Sequence, residues 1–372
     1  MHHVQRLFIG TAAALTVGLA AADPRPNVVM IVTDDLGYGD VGFNGGSTPT
    51  PALDALAASG VNLTAGYVTH PYCGPSRAGL ITGRWQQRFG FVINPPFAPT
   101  RHDIGLPPDE KTLPTYLQEA GYQTGMVGKW HLGVAEPFHP LNRGFDFYMG
   151  FRTGGHHYFP ETYPDPDTTW HLDTPWYHNR LPLQRNRESL TNLEGYLTDV
   201  LSDEAAAFIE RAADGDAPFF LYLAYNAPHT PIEAKAEDVA RFAHVEDEKE
   251  RVYAAMVYSL SQGVGRVMDA LDDAGVRDNT IVFFLSDNGG KYPWSSNAPL
   301  RGHKGDAFEG GIRVPFLMSW PARIEPDRSY DGTVLSLDMM ATVLAAAGVE
   351  ADHKPLDGKD LMPYLDGNRE GS

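Results

Sequence analysis

Four runs of the chain are apolar at almost every position, and each stops at polar residues. "NVVMIV" (27–32) meets Thr33-Asp34-Asp35, and "YQTGMV" (122–127) meets "GKWH". "PFFLYLAY" (218–225) meets "NAPH", and "NTIVFFLS" (279–286) meets Asp287-Asn288. Continuous rather than alternating hydrophobicity predicts strands covered on both faces. Helical patterns lie between them. In 196–212, Leu197, Val200, Leu201, Phe208 and Ile209 fall on one stripe. Segments 251–275 and 336–348 behave alike, each closing on a glycine. Strands alternating with helices predict an α/β layer fold around a large, mostly parallel sheet. Ligands of such sheets bind at the carboxyl ends of the strands, so the four polar clusters are expected to meet at one edge. Segment 152–193 breaks the pattern. It is rich in His, Tyr, Trp, Pro and Asp without periodicity, which predicts an ordered binding loop. There His156 and His157 are expected to set the preference among substrates, and Trp170 and Trp176 either stack on a flat ligand face or pack the loop.

With 372 residues, 42% of them hydrophobic, the chain can bury a substantial core. A net charge of −18 excludes nucleic acid and anionic membrane surfaces as natural partners. It also requires that any anionic substrate be drawn by a local cluster of cations. At the N-terminus Arg6 precedes "LFIGTAAALTVGLA" and a small-residue site at Ala20-Ala21-Ala22. Residues 1–22 are therefore expected to be a cleavable signal peptide, too short for a comfortable membrane anchor. Residues 23–372 would be one catalytic domain, periplasmic or secreted.

The lone cysteine, Cys73, stands in "HPYCGPSRAGLITGRW". It has no disulfide partner and no zinc-like neighbours, which leaves a small buried hydrophobe or a nucleophile in need of a base. An exported chain with no possible intramolecular disulfide favours a special role for it. Asp34-Asp35 and Asp287-Asn288 offer the oxygen ligands of a hard cation such as Ca²⁺ or Mg²⁺. Each pair could equally cap a helix or form a turn, but two pairs at similar strand ends favour a metal. The cations are Arg77, Lys129 and Lys304, with His131 and His229. Lys129 and His131, two apart, are expected to project to one side of an extended segment. His229 stands between prolines that fix its loop, and Lys304 stands among glycines that permit close approach to a ligand. His139, His244 and His353 are expected to be structural. A divalent cation, three positive side chains and two imidazoles suit an oxyanion ester.

"CGPSRAGLITG" resembles the signature of the type I sulfatases, with Ile81 where leucine is usual. The resemblance continues through "NVVMIVTDDLGYGDVG", "GKWHLG", "GFDFYMGF", "APHTPI", "SDNGG" and "LRGHKGDAFEGGIRVP". It implies an alkaline-phosphatase-like α/β/α sandwich. It also implies that a formylglycine-generating or anaerobic sulfatase-maturing enzyme oxidises Cys73 to Cα-formylglycine during export. One hydroxyl of the hydrated aldehyde would attack sulfur, and the other would then expel sulfate. By the same resemblance Asp34, Asp35, Asp287, Asn288 and the modified Cys73 bind one Ca²⁺. Arg77 and Lys129 hold and polarise the diol, His131 takes a proton, and His229 and Lys304 grip the sulfate and assist the leaving oxygen. Members of the family usually continue about a hundred residues further, into a small C-terminal subdomain that is expected to be missing here. The expected substrate is a sulfated carbohydrate or aryl sulfate. The alternatives are a phosphate or phosphonate ester, or a non-catalytic role in binding sulfated glycans.

Overall fold

The computed structural model describes residues 25–159, 183–190 and 193–366. The expected signal peptide, Trp170, Trp176 and the chain beyond 366 lie outside these residues. Among them, no helix is long and apolar enough to cross a membrane.

Ten strands form one sheet. From edge to edge they are Arg328–Tyr330, Val61–Leu63, Phe316–Ser319, Thr280–Ser286, Asn27–Thr33, Phe219–Ala224, Gln123–Lys129, Phe147–Phe151, Gln184–Arg185 and Glu188–Ser189. The five from Thr280–Ser286 to Phe147–Phe151 are mutually parallel. The flanking Phe316–Ser319 and Gln184–Arg185 run antiparallel to their neighbours. All four apolar runs thus become central strands, and the second continues through Lys129.

Alternate residues of the central strands feed two separate cores. Val28, Met30, Tyr222, Phe283 and Leu285 pack with the helices Cys73–Thr82, Leu113–Glu119 and Asp338–Ala347. Val29, Ile31, Leu221, Leu223 and Phe284 pack with Pro51–Ala58, Leu197–Ala213 and Glu248–Asp273. Burial on both faces explains why the strands read as continuous apolar runs, and it makes the fold a three-layer α/β/α sandwich. The predicted helices stand where expected, with one change. The long helix begins at Glu248, ahead of its apolar stripe, because the Asp247 carboxylate accepts hydrogen bonds from the Lys249 and Glu250 amides, both at 2.9 Å.

Gly128 fixes how closely two central strands meet just before Lys129. Its φ is +105°, and a Cβ there would lie 2.0 Å from the Ala224 carbonyl oxygen, a backbone atom that cannot swing away. Gly128→Ala is expected to destabilise the protein by about 2–4 kcal/mol, measured by denaturant titration. An unchanged midpoint would show that the two strands can separate without cost.

Candidate active site

Four parallel strands deliver side chains to one edge of the sheet. Asn27–Thr33 leads into Asp34 and Asp35, Thr280–Ser286 into Asp287 and Asn288, and Gln123–Lys129 ends on Lys129 itself. Phe219–Ala224 leads to His229, which is bracketed by cis peptide bonds before Pro228 and Pro231. The turns are laced together, since the Asp34 amide donates to the Ala227 carbonyl at 3.1 Å and the Asp287 amide to that of Thr33 at 3.0 Å. Cys73 is the first residue of the helix Cys73–Thr82, whose second residue donates its amide to Asn94 Oδ1 at 2.8 Å. The Lys304 loop is tied on both sides, with Lys304 N donating to Gly290 O and Gly305 N to Pro71 O, each at 3.0 Å.

The charges at this edge are matched one to one. Lys129 donates to Asp34, and both side chains are fully buried. Arg77 Nε donates to Asp287 Oδ2 at 2.7 Å, again with both side chains fully buried, and its Nη1 reaches the Lys129 carbonyl at 3.0 Å. Lys304 Nζ lies 2.6 Å from Asp35 Oδ1 and 2.8 Å from Oδ2. Cys73 Sγ sits between two of these pairs, 3.4 Å from Asp34 Oδ1 and 3.5 Å from Lys304 Nζ.

Burial and this pairing set the protonation states. Burial, then the Asp34 carboxylate, pushes the Cys73 thiol far above its usual range, although a helix N-terminus alone would lower it. The unmodified thiol is therefore protonated and a poor nucleophile at neutral pH. Against the upward push of burial, Lys304 and then His229 hold Asp35 well below the carboxylate range. Burial and Lys304 bring His229 down to about 3. Burial and Lys129 take His131 well below its ordinary value. Both imidazoles are thus neutral proton acceptors near pH 7. His229 Nδ1 lies 2.6 Å from the Thr230 carbonyl, and its Nε2 points towards Asp35, 3.7 Å away. His131 Nδ1 is buried with no hydrogen-bond partner, the mark of a side chain that lacks a ligand.

Cys73, His131, His229 and Lys304 line one cavity of about 230 Å³. Asp34, Asp35, Arg77, Lys129, Asp287 and Asn288 are tied to these four through hydrogen bonds and ion pairs, though not always in the expected way. His131 does not continue an extended segment. Its φ is +57°, so the chain turns left-handed after Lys129, and the imidazole enters the cavity while Lys129 stays beneath it on Asp34. Asp35, at φ +64°, is also left-handed, and such conformations in non-glycine residues gather at functional sites.

His156 corrects an expectation. It is fully buried, its ring lies 5.2 Å from Phe151, and its Nδ1 lies 2.8 Å from the His157 carbonyl, so it supports the chain and does not meet a sugar. His157 is held by Glu233 at 2.8 Å. His139 and His353 make local contacts as expected, to the Leu141 amide and the Asp109 carbonyl. His244 instead stands exposed on the wall of a separate cleft. The sequence reading missed the cavity wall formed by Asn94, Pro95, Pro96 and Phe97. The Pro-Pro pair was the only available signal, and it does not say which loop it stiffens.

The donor set suits a hard cation. Ligand atoms of Asp34, Asp35, Cys73 and His229 all lie within 4.8 Å of one another. Asn288 Nδ2 donates to Asp35 Oδ1 at 2.8 Å, while its own Oδ1 is buried without a hydrogen-bond partner. An orphaned amide oxygen beside clustered carboxylates is what an oxygen-liganded ion would complete.

Comparison with known proteins agrees with this geometry. A sulfatase family profile matches residues 26–349. The uncharacterized sulfatase YdeN of Escherichia coli is 34% identical over 93% of this chain and 67% of its own length. The N-acetylgalactosamine-6-sulfatase of Canis lupus familiaris is 35% identical over 98% of this chain and 70% of its own. Among solved structures, Ps i-CgsB is 42% identical with a TM-score of 0.88, covering 93% of this chain and 77% of that one. It has also been crystallised in complex with k-i-k-neocarrahexaose. The chain belongs to the sulfatase family and is a sulfuric ester hydrolase with the alkaline-phosphatase-like fold.

Proposed function

We propose that this protein removes sulfate from a sulfated carbohydrate, using formylglycine made from Cys73 by a maturing enzyme and one Ca²⁺ held by Asp34, Asp35, Asp287 and Asn288. The observation that carries this reading is the position of Cys73 Sγ, buried against Asp34 and Lys304 on the wall of a small cationic cavity. When present, the hydrated aldehyde supplies an oxygen nucleophile and the cation supplies electrostatic stabilisation of developing negative charge.

The chain's own side chains do the rest. Lys304, 3.5 Å from Cys73 Sγ and on the cavity wall, binds the anionic sulfate. His229, its Nδ1–H committed to the Thr230 carbonyl, presents an unprotonated Nε2 that accepts a proton and does not itself grip the sulfate. His131, neutral and unpaired in the same cavity, takes the proton released when sulfate leaves. Lys129 and Arg77 hold Asp34 and Asp287 in place through buried ion pairs, so that the edge is pre-organised before substrate arrives. The carbohydrate reading is supported by the relatives, one named for a sulfated amino sugar and one crystallised with a hexasaccharide. The apolar N-terminal stretch and Ala20-Ala21-Ala22 support export.

Protein from a host that carries a sulfatase-maturing enzyme should turn over a small aryl sulfate. The peptide spanning Cys73 should then show an aldehyde by mass spectrometry in place of the thiol. Cys73→Ala should fold normally and show no turnover above background. Sustained hydrolysis by that variant would sink the assignment of position 73.

Adding Ca²⁺ at a hundred times its dissociation constant to chelator-treated protein should stabilise it by about 2.7 kcal/mol, seen as a rise in Tm. Asn288→Ala should fold but lose most of that increment, as well as activity. Equal calcium responses in both proteins would remove Asn288 from the ligand set.

A further inference from the structure

A second concavity, of about 800 Å³, lies on the other side of the Lys304 loop. Gly302 and His303 line it, while the next residue, Lys304, lines the Cys73 cavity. The two openings are thus separated by a single segment of chain. Its size falls within the roughly 300–1,000 Å³ common for ligand sites.

The lining has a definite chemistry. Tyr292 is 70% exposed, and its ring stacks on that of His303 with centroids 5.9 Å apart and 27° between planes. So exposed a ring adds little to the folded state, yet it is held flat by its neighbour. Trp294 lines the same cleft, with the ammonium groups of Lys249 and Lys291 at 5.6 Å and 6.0 Å from its ring. Ser47 and Thr48 add hydroxyls. Flat aromatic faces with hydroxyls beside them match the apolar face and hydroxyl rim of a sugar ring, and the Glu250 carboxylate on the same wall can accept hydrogen bonds from sugar hydroxyls.

We propose that this cleft is a second sugar subsite, which binds a further residue of the sulfated oligosaccharide whose ester reacts beside Cys73. Tyr292, held by the His303 ring, is its platform. The proposal rests on the carbohydrate reading above and adds that recognition extends over the Lys304 loop. The protein therefore binds a chain of sugars more tightly than a short fragment with the same ester.

The test is calorimetric binding to Cys73→Ala protein, so that no turnover intervenes. The probes are k-i-k-neocarrahexaose and a disaccharide carrying the same sulfates. The hexasaccharide should bind more tightly than the disaccharide. Tyr292→Ala in the same background should weaken hexasaccharide binding roughly tenfold, the loss expected for one stacking contact, and leave disaccharide binding unchanged. Tyr292→Phe should restore it. The subsite is overturned if the hexasaccharide binds no better than the disaccharide, if Tyr292→Ala leaves its affinity intact, or if both probes weaken equally. Aryl sulfate turnover by the protein without these substitutions is read separately, and its absence would count against the catalytic assignment alone.

Discussion

Arg77 and Asp287 are both fully buried, and so are Lys129 and Asp34. Neither side chain of a pair could be buried at the end of an apolar sheet without its partner. Removing one member of such a pair strands the other, at a cost of about 3–5 kcal/mol. The third pair, Asp35 with Lys304, differs in one respect. Lys304 retains 13% exposure and reaches Cys73 as well as Asp35. Two pairs therefore act as foundation, and the third faces the cavity.

Because carboxylates and cations are matched in number, the edge is close to neutral by itself. A divalent ion among the carboxylates would turn it positive, which a chain of net charge −18 needs in order to hold an anion. The same balance explains the two histidines. Burial, with Lys129 and Lys304, keeps His131 and His229 neutral, so both are proton acceptors at neutral pH.

The sandwich was legible in the sequence because burial on both faces leaves an unmistakable trace, four apolar runs that each end in polar residues. The convergence of Asp34, Lys129, His229 and Asp287 followed from the same trace, since parallel strands share a carboxyl edge. What lay hidden were departures from regular backbone. The left-handed turn at His131 has no marker in "GKWHLG", because only glycine announces such a conformation and histidine adopts it here by tertiary constraint. His156 read as an exposed sugar contact because polarity in a loop resembles exposure, yet it is buried with its ring packed at a tilt against Phe151. The Tyr292 cleft escaped notice because an isolated aromatic carries no periodicity.

The burial of Cys73 also orders events in time. Its side chain is 1% exposed, at the start of a helix whose first ten residues are all buried. No second protein could grasp that segment once the Asp34 and Lys304 contacts have closed over the sulfur. Any enzyme that alters the residue must do so while 70–85 is still an extended, accessible peptide. The interval between synthesis and folding would then limit how many molecules are modified. A substitution that merely speeds folding, far from the site, would lower the fraction of molecules modified.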